Sequence, residues 1–265
     1  MLKKFYHYTD FEGASKIIKN NTIKCNSPYN LNDPFDTKFK IDLESNIEEI
    51  ADFFIRKFNL QALEENKDSI RYKRAKKKAA QYLQKKLEIE SEDWLNYIKK
   101  LRVFCLSEVK NNLLMWAHYS DRHKGAVIEF KCIPNCDCPF CEASKIQYKK
   151  TKPNIGSVQE LINGDIDYQE IKDKFLFTKS TEWSYEKEWR LIFKQCNGNK
   201  DYDLRKVSSR YITGVYLGFK MSKENKKKIA ELGNEINGVD FYEATLNGNE
   251  KFEINFDEYK IGKKK

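Results

Sequence analysis

The side chains in this chain best suited to chemistry lie in two short stretches. The first is "FYHYT", which carries His7, one of only three histidines. In an extended strand, alternation puts His7 and Thr9 on one face and Tyr8 on the other. The second is "EWSYEKEWRLIF", residues 182–193. There Glu186, Glu188 and Arg190 share one face of an extended segment, while Trp189, Leu191 and Phe193 face the opposite way. One face is apolar and directed at a core; the other carries two acids and a base. Such a face is either a solvated surface with an exposed ion pair, which stabilises little, or the wall of a cleft flanked by Trp183 and Tyr185. His118 in "WAHYSD" and His123 in "RHKG" read as ordinary histidines at partly buried positions.

Two further clusters stand apart. Four of the seven cysteines crowd into "CIPNCDCPFC" as Cys132, Cys136, Cys138 and Cys141. Four thiolates satisfy a tetrahedral structural zinc site, and "CPFC" has the form of a zinc knuckle; free thiols are the alternative. Cys25, Cys105 and Cys196 read as small buried residues. The other cluster is "RYKRAKKKAAQYLQKK", residues 71–86, with eight Lys or Arg and no acid. The net charge of the chain is +9, so this one patch holds nearly all of the imbalance. Tyr72, Ala75, Ala79, Leu83 and Leu87 form an apolar stripe at helical spacing. The lysines, Lys76, Lys77 and Lys78 among them, then form either a solvated face or a surface for phosphate backbones.

The elements that must position these groups come from both ends of the chain. "KKFYHYT" is predicted as a strand, "DFEGASKIIKN" as a helix capped by Asp10, and "TIKCNS" as a second strand. "NLNDPFD", residues 30–36, is a loop of turn formers. Its Asn32, Asp33 and Asp36 either bind substrate or build a rigid turn that holds Phe35 in the core. Residues 44–100 contain no Gly or Pro and read as two or three inserted helices. "LRVFCLSE", "GAVIEFK", "KIQYKK", "EWRLIFK", "ITGVYLGF", "GVDFYEATLN" and "EKFEINFDEYKIG" read as strands. "NNLLMWAHYSDRHKG", "SVQELINGDIDYQEIKDKF" and "SKENKKKIAELGNEI" read as helices. The expectation is a single α+β domain over 1–265, with a helical insertion at 44–100 and a Cys-rich knuckle at 132–141. Dinucleotide-fold, P-loop and nucleophile-elbow patterns are absent. The opening "MLKKFYHYTD" has no apolar signal segment, and no apolar run approaches the ~18 residues of a membrane span. A cytoplasmic location is therefore expected.

Four blocks in order carry a resemblance: "FYHYTDFEGASKIIKNNTIKCNSPYNLNDPFD", "VFCLSE", "LMWAHYSDRHKGAVIEF" and "WSYEKEWRLIF". Together they resemble the bacterial domain of unknown function 2971 family, which looks distantly related to ADP-ribosyltransferases. The first block is also similar to the start of DNA-targeting ADP-ribosyltransferase toxins. The resemblance implies a split β-sheet core, NAD as substrate, transfer to nucleic acid or protein, and the role of a toxin or phage-defence effector. It implies that Glu188 stabilises the oxocarbenium-like state as the nicotinamide–ribose bond breaks. His7 would hold a ribose hydroxyl, with Thr9 assisting. Tyr119 or Tyr29 would stack on nicotinamide. Arg190 would grip the pyrophosphate, or else serve as a structural partner of Glu186 or Asp36. The "YxGxYF"-like stretch common in transferases of the His-Tyr-Glu type is missing. The alternative is a degenerate, non-catalytic frame that binds nucleic acid through the basic helix and knuckle.

Overall fold

The computed structural model describes residues 2–37, 69–153, 173–196, 198, 200–234, 236, 238–246 and 252–260. The first strand, β1 (Lys4–Thr9), alternates as its sequence predicts, with Phe5 and Tyr8 buried in different cores. Asp10 then stops the strand and caps α1 (Phe11–Asn20), its carboxylate accepting from Gly13 N at 2.6 Å. Asn21, in the left-handed region at φ 50°, ends that helix and turns the chain into β2 (Thr22–Asn26). The basic segment lies in one 30-residue helix, α2 (Ile70–Lys99), capped by Ser69. There follow β3 (Leu101–Ser107), the short α3 (Leu113–Tyr119), β4 (Ala126–Lys131), β5 (Ser144–Lys145), β6 (Gln147–Lys149), β7 (Thr178–Ser180), β8 (Glu188–Lys194), β9 (Tyr202–Lys206), β10 (Ile212–Leu217), α4 (Lys223–Gly233), β11 (Asp240–Leu246) and β12 (Ile254–Glu258).

The fold is mixed α+β. The main sheet runs β12-β11-β10-β4-β1-β3-β2-β9, with β8 on β3 and β5 on β8. Its pairs are antiparallel except β10 with β11. One face packs Phe5, Phe104, Ile128 and Leu191 with Ile17 of α1 and Ile229 of α4. The other face packs Tyr8, Val127 and Tyr216 with Met115 and Trp116 of α3. Burying these two apolar faces is the main force that closes the sheet into layers.

The pairing of β3 is what opens a site. Along β8 it is continuous, from Leu101 opposite Lys194 to Ser107 opposite Glu188. On its other edge β3 meets β1 only at Ser107, opposite Tyr6, and β2 only at Val103, opposite Asn26. The strands β1 and β2 therefore diverge, and between those points β3 has no strand partner on that edge among the described residues. A buried carbonyl left unpaired is costly. His7 Nδ1 closes one such gap, lying 2.9 Å from Cys105 O.

Several sequence expectations need correction. The strands β7 and β9 lie where the sequence pattern predicts none, and "KIQYKK" is broken at Ile146 into β5 and β6. Phe35 is 63% exposed, so the 30–36 loop does not exist to bury it. The 44–68 part of the expected insertion, and most of the helix read at 157–175, lie outside the described residues.

Candidate functional site

Between the diverging strands lies a cavity of about 650 Å³. His7, Thr9, Tyr119, Lys179, Glu186 and Glu188 all line it, together with Asn32 and Cys105. His7 and Glu188 do not face each other across one surface, because β3 separates β1 from β8. Opposed residues of an antiparallel pair share a face, so Glu188, Ser107 and Tyr6 point to the α3 side and His7 to the α1 side. Both nonetheless line the cavity, and Cys105 touches each of them. The carbonyl of Cys105 takes His7, and its thiol, pushed well up by burial and then by Glu188, lies against the Glu188 carboxylate.

The polar face of "EKEWR" is buried rather than solvated. Glu186, Glu188 and Arg190 are 3%, 4% and 1% exposed. Glu186 is not on the strand; it ends a 3₁₀ turn (Thr181–Glu186), and Lys187 at φ 44° links that turn to β8. A left-handed non-glycine residue costs about 1 kcal/mol or more. Here it brings both carboxylates onto one cation: Lys179 Nζ lies 2.6 Å from Glu186 Oε2 and 3.1 Å from Glu188 Oε2. Lys179 also sits 4.7 Å from the centre of the Trp183 ring.

Arg190 is fully enclosed. Its guanidinium forms a bidentate pair with Asp36, donates to Glu188 Oε1 at 2.7 Å and to Leu176 O at 2.8 Å. It does not line the cavity and has no donor left for a pyrophosphate; the structural reading of Arg190 with Asp36 is the one the contacts support. Tyr29 packs with Leu101 and Leu176, away from the cavity, so Tyr119 alone of the two aromatic candidates reaches it. Trp183 and Tyr185 do not line it either.

Charge within the site follows from these partners. Burial alone would raise the Glu188 carboxyl, but Arg190 and then Lys179 outweigh it and hold its pKa at about 2. Glu186 goes the other way: burial and the Glu188 charge raise it despite Lys179. Tyr119 OH donates to Glu186 Oε1 at 2.5 Å and accepts from Asn32 Nδ2 at 2.5 Å. Its phenol is pushed up by burial and by Glu186, so Tyr119 stays neutral. His7 is drawn down to about 4, chiefly by desolvation. Its imidazole is thus neutral near pH 7. Since Cys105 O can only accept, Nδ1 carries the proton and Nε2 is left as an acceptor. Thr9 keeps its place because Gly13 has no side chain; a Cβ there would lie 2.0 Å from Thr9 Oγ1.

Sequence reasoning missed Lys179, which no motif or periodicity marks, and Ser107, whose hydroxyl donates to Glu186 O at 2.6 Å. The expected four-thiolate zinc site also needs correction. Cys132 and Cys141 form a disulfide with Cα atoms 5.0 Å apart. Cys138 is buried beside Ile133 N and Lys131 O, and exposed Cys136 points at Ile133 O. With two sulfurs joined to each other, the four cannot act as one thiolate set. Among the described residues no cluster of three or more His, Cys, Asp or Glu could hold a metal. Lys77 and Lys78 are exposed on α2, and Lys76 is half-buried. Among the described residues no helix is long and apolar enough to cross a membrane.

Residues 115–191 match the model of the family described as Protein of unknown function (DUF2971). That span carries Tyr119, Lys179, Glu186, Glu188 and Arg190, and supports the family resemblance seen in the sequence. No curated protein and no solved structure matches the chain.

Proposed function

We propose that this chain, carrying that family segment, binds NAD in the split-sheet cavity and transfers its ADP-ribosyl group to a nucleophile on nucleic acid or protein. The observation that carries this reading is the convergence of His7, Thr9, Tyr119 and Glu188 on one cavity. Its volume falls within the ~300–1,000 Å³ of ordinary ligand pockets.

In this reaction the bond between ribose C1′ and nicotinamide N1 breaks, and its electron pair leaves with nicotinamide. Positive charge develops on the ribose, and the acceptor then closes on C1′. Glu188 is ionised throughout the working pH range and is fixed by Lys179 and Arg190, so it stabilises that charge without reorganising. His7 Nε2 accepts a ribose hydroxyl proton in a hydrogen bond, its tautomer set by Cys105 O. Glu186, with its raised pKa and its bond to Tyr119, is suited to take the proton of the incoming nucleophile. Tyr119 offers a ring for nicotinamide. The pyrophosphate would fall to lysines lining the cavity, Lys16 and Lys24, since Arg190 is committed elsewhere.

Calorimetric titration tests binding directly. Wild-type protein should bind NAD with one site per chain, and His7→Ala and Thr9→Val should each weaken it. A flat titration of folded wild-type protein would leave the non-catalytic, nucleic-acid-binding frame as the better reading.

A further inference from the structure

A second cavity, of about 530 Å³, lies on the α3 side of the sheet, lined from β1, from residues 108–111 and from β10, β11 and β12. Rings from four strands meet there. Tyr216 and Tyr242 are stacked, 4.9 Å apart at 11°, with Phe256 edge-on to Tyr216 at 4.9 Å and Tyr6 at 6.1 Å. The Lys110 ammonium sits over this group, 4.5 Å from the Tyr216 ring centre, 5.5 Å from Phe256 and 5.7 Å from Tyr6, and donates to Tyr216 OH at 3.1 Å. Among the described residues it has no carboxylate partner. Lys4 lines the same cavity, its side chain 47% exposed.

We propose that this face is a stacking platform for single-stranded nucleic acid, a site distinct from the cleft and from α2. Of the two acids at this face, Glu129 is held by Lys4, Thr213 and Tyr216, and Glu108 by Lys145 and Trp189, which leaves the Lys110 ammonium as the charge at the cavity not already matched by a carboxylate among the described residues. The cage of rings is already filled by an ammonium, which selects against a cationic ligand and for an anionic one. Flat rings beside two ammonium groups and the amides of Asn111 and Asn255 match one nucleotide unit: a base on Tyr242 or Phe256, a phosphate on Lys110 and Lys4. Tyr6 borders both cavities, so the platform adjoins the cleft. The inference stands whether or not the cleft uses NAD.

Fluorescence anisotropy with labelled dT12 at low salt tests it. Wild-type protein should bind. Tyr242→Leu and Phe256→Leu should each weaken binding about tenfold, the loss expected for one base–ring stack, while Tyr242→Phe binds like wild type. Lys110→Gln should reduce the slope of log affinity against log salt by roughly 0.7. Circular dichroism confirms folding, and Phe256→Leu on the outermost strand decides the matter if Tyr242→Leu does not fold. Three results would overturn the proposal: no binding of dT12, wild-type affinity in the folded leucine variants, or binding lost only on charge reversal at Lys76, Lys77 and Lys78.

Discussion

Lys179 is the residue on which the two carboxylates of the cleft depend, since Glu186 and Glu188 both lie within hydrogen-bond distance of it. Lys179→Met leaves two acids facing each other with less positive charge between them, so at least one must bind its proton more tightly. The acidic limb of the pH–activity profile should move to higher pH, with activity partly restored on the alkaline side. An unchanged profile in the folded variant would remove Lys179 from the mechanism. His7 makes a prediction about stability. Its folded pKa, about 4, is below its unfolded value of 6.5. Between those values the unfolded chain binds more protons, so stability is full above about pH 6.5 and falls as the pH drops toward 4. The loss is on the order of 3 kcal/mol at most, at ~1.36 kcal/mol per pKa unit. Urea denaturation of wild type against His7→Gln should show the slope in this window and its reduction in the variant.

At the scale of elements, the strand β8 is pinned to the 30–36 loop by Arg190 and Asp36, whose side chains are both fully buried. Asp36→Asn or Arg190→Met should each cost about 3–5 kcal/mol, because the surviving charge is left buried with fewer partners. Replacing both with apolar residues should recover part of that loss in denaturant titrations. The alternation of β1 and β8 was legible in the sequence, because strand periodicity alone assigns Trp189 and Leu191 to one face and Glu188 and Arg190 to the other. What it could not say is that the polar face is buried, since that depends on Asp36 and Lys179 arriving from distant segments. The placement of Glu186 was hidden for a different reason: Lys187 adopts a left-handed conformation that nothing in its residue type announces. The cysteines misled because spacing suits several chemistries, and the side-chain directions that choose between them come only from the fold.

Over the whole molecule, the divergence of β1 and β2 along one edge of β3 creates the cleft, and the same sheet offers an aromatic face next to it. The basic segment of α2 is a third feature, read in the sequence as either a solvated face or a surface for phosphate backbones. Charge reversal at Lys76, Lys77 and Lys78 should weaken nucleic-acid binding and flatten its salt dependence; salt dependence equal to that of wild type would leave α2 as a solvated face. The α+β class followed from strand and helix patterns at both ends of the chain. The split in the sheet did not follow from them, because it rests on single pairings at Tyr6 and Asn26 that local pattern does not encode.

The proposed role of Glu188 is to drive cleavage of the nicotinamide–ribose bond with its carboxylate held ionised in the split-sheet cleft. Its most direct test is nicotinamide released from NAD by wild-type protein and by Glu188→Gln, with candidate acceptors present. Wild-type protein should release nicotinamide, and folded Glu188→Gln should do so at least about 10²-fold more slowly, as loss of a main electrostatic stabiliser does. Equal release by the two proteins, or none from wild type that binds NAD, would contradict it.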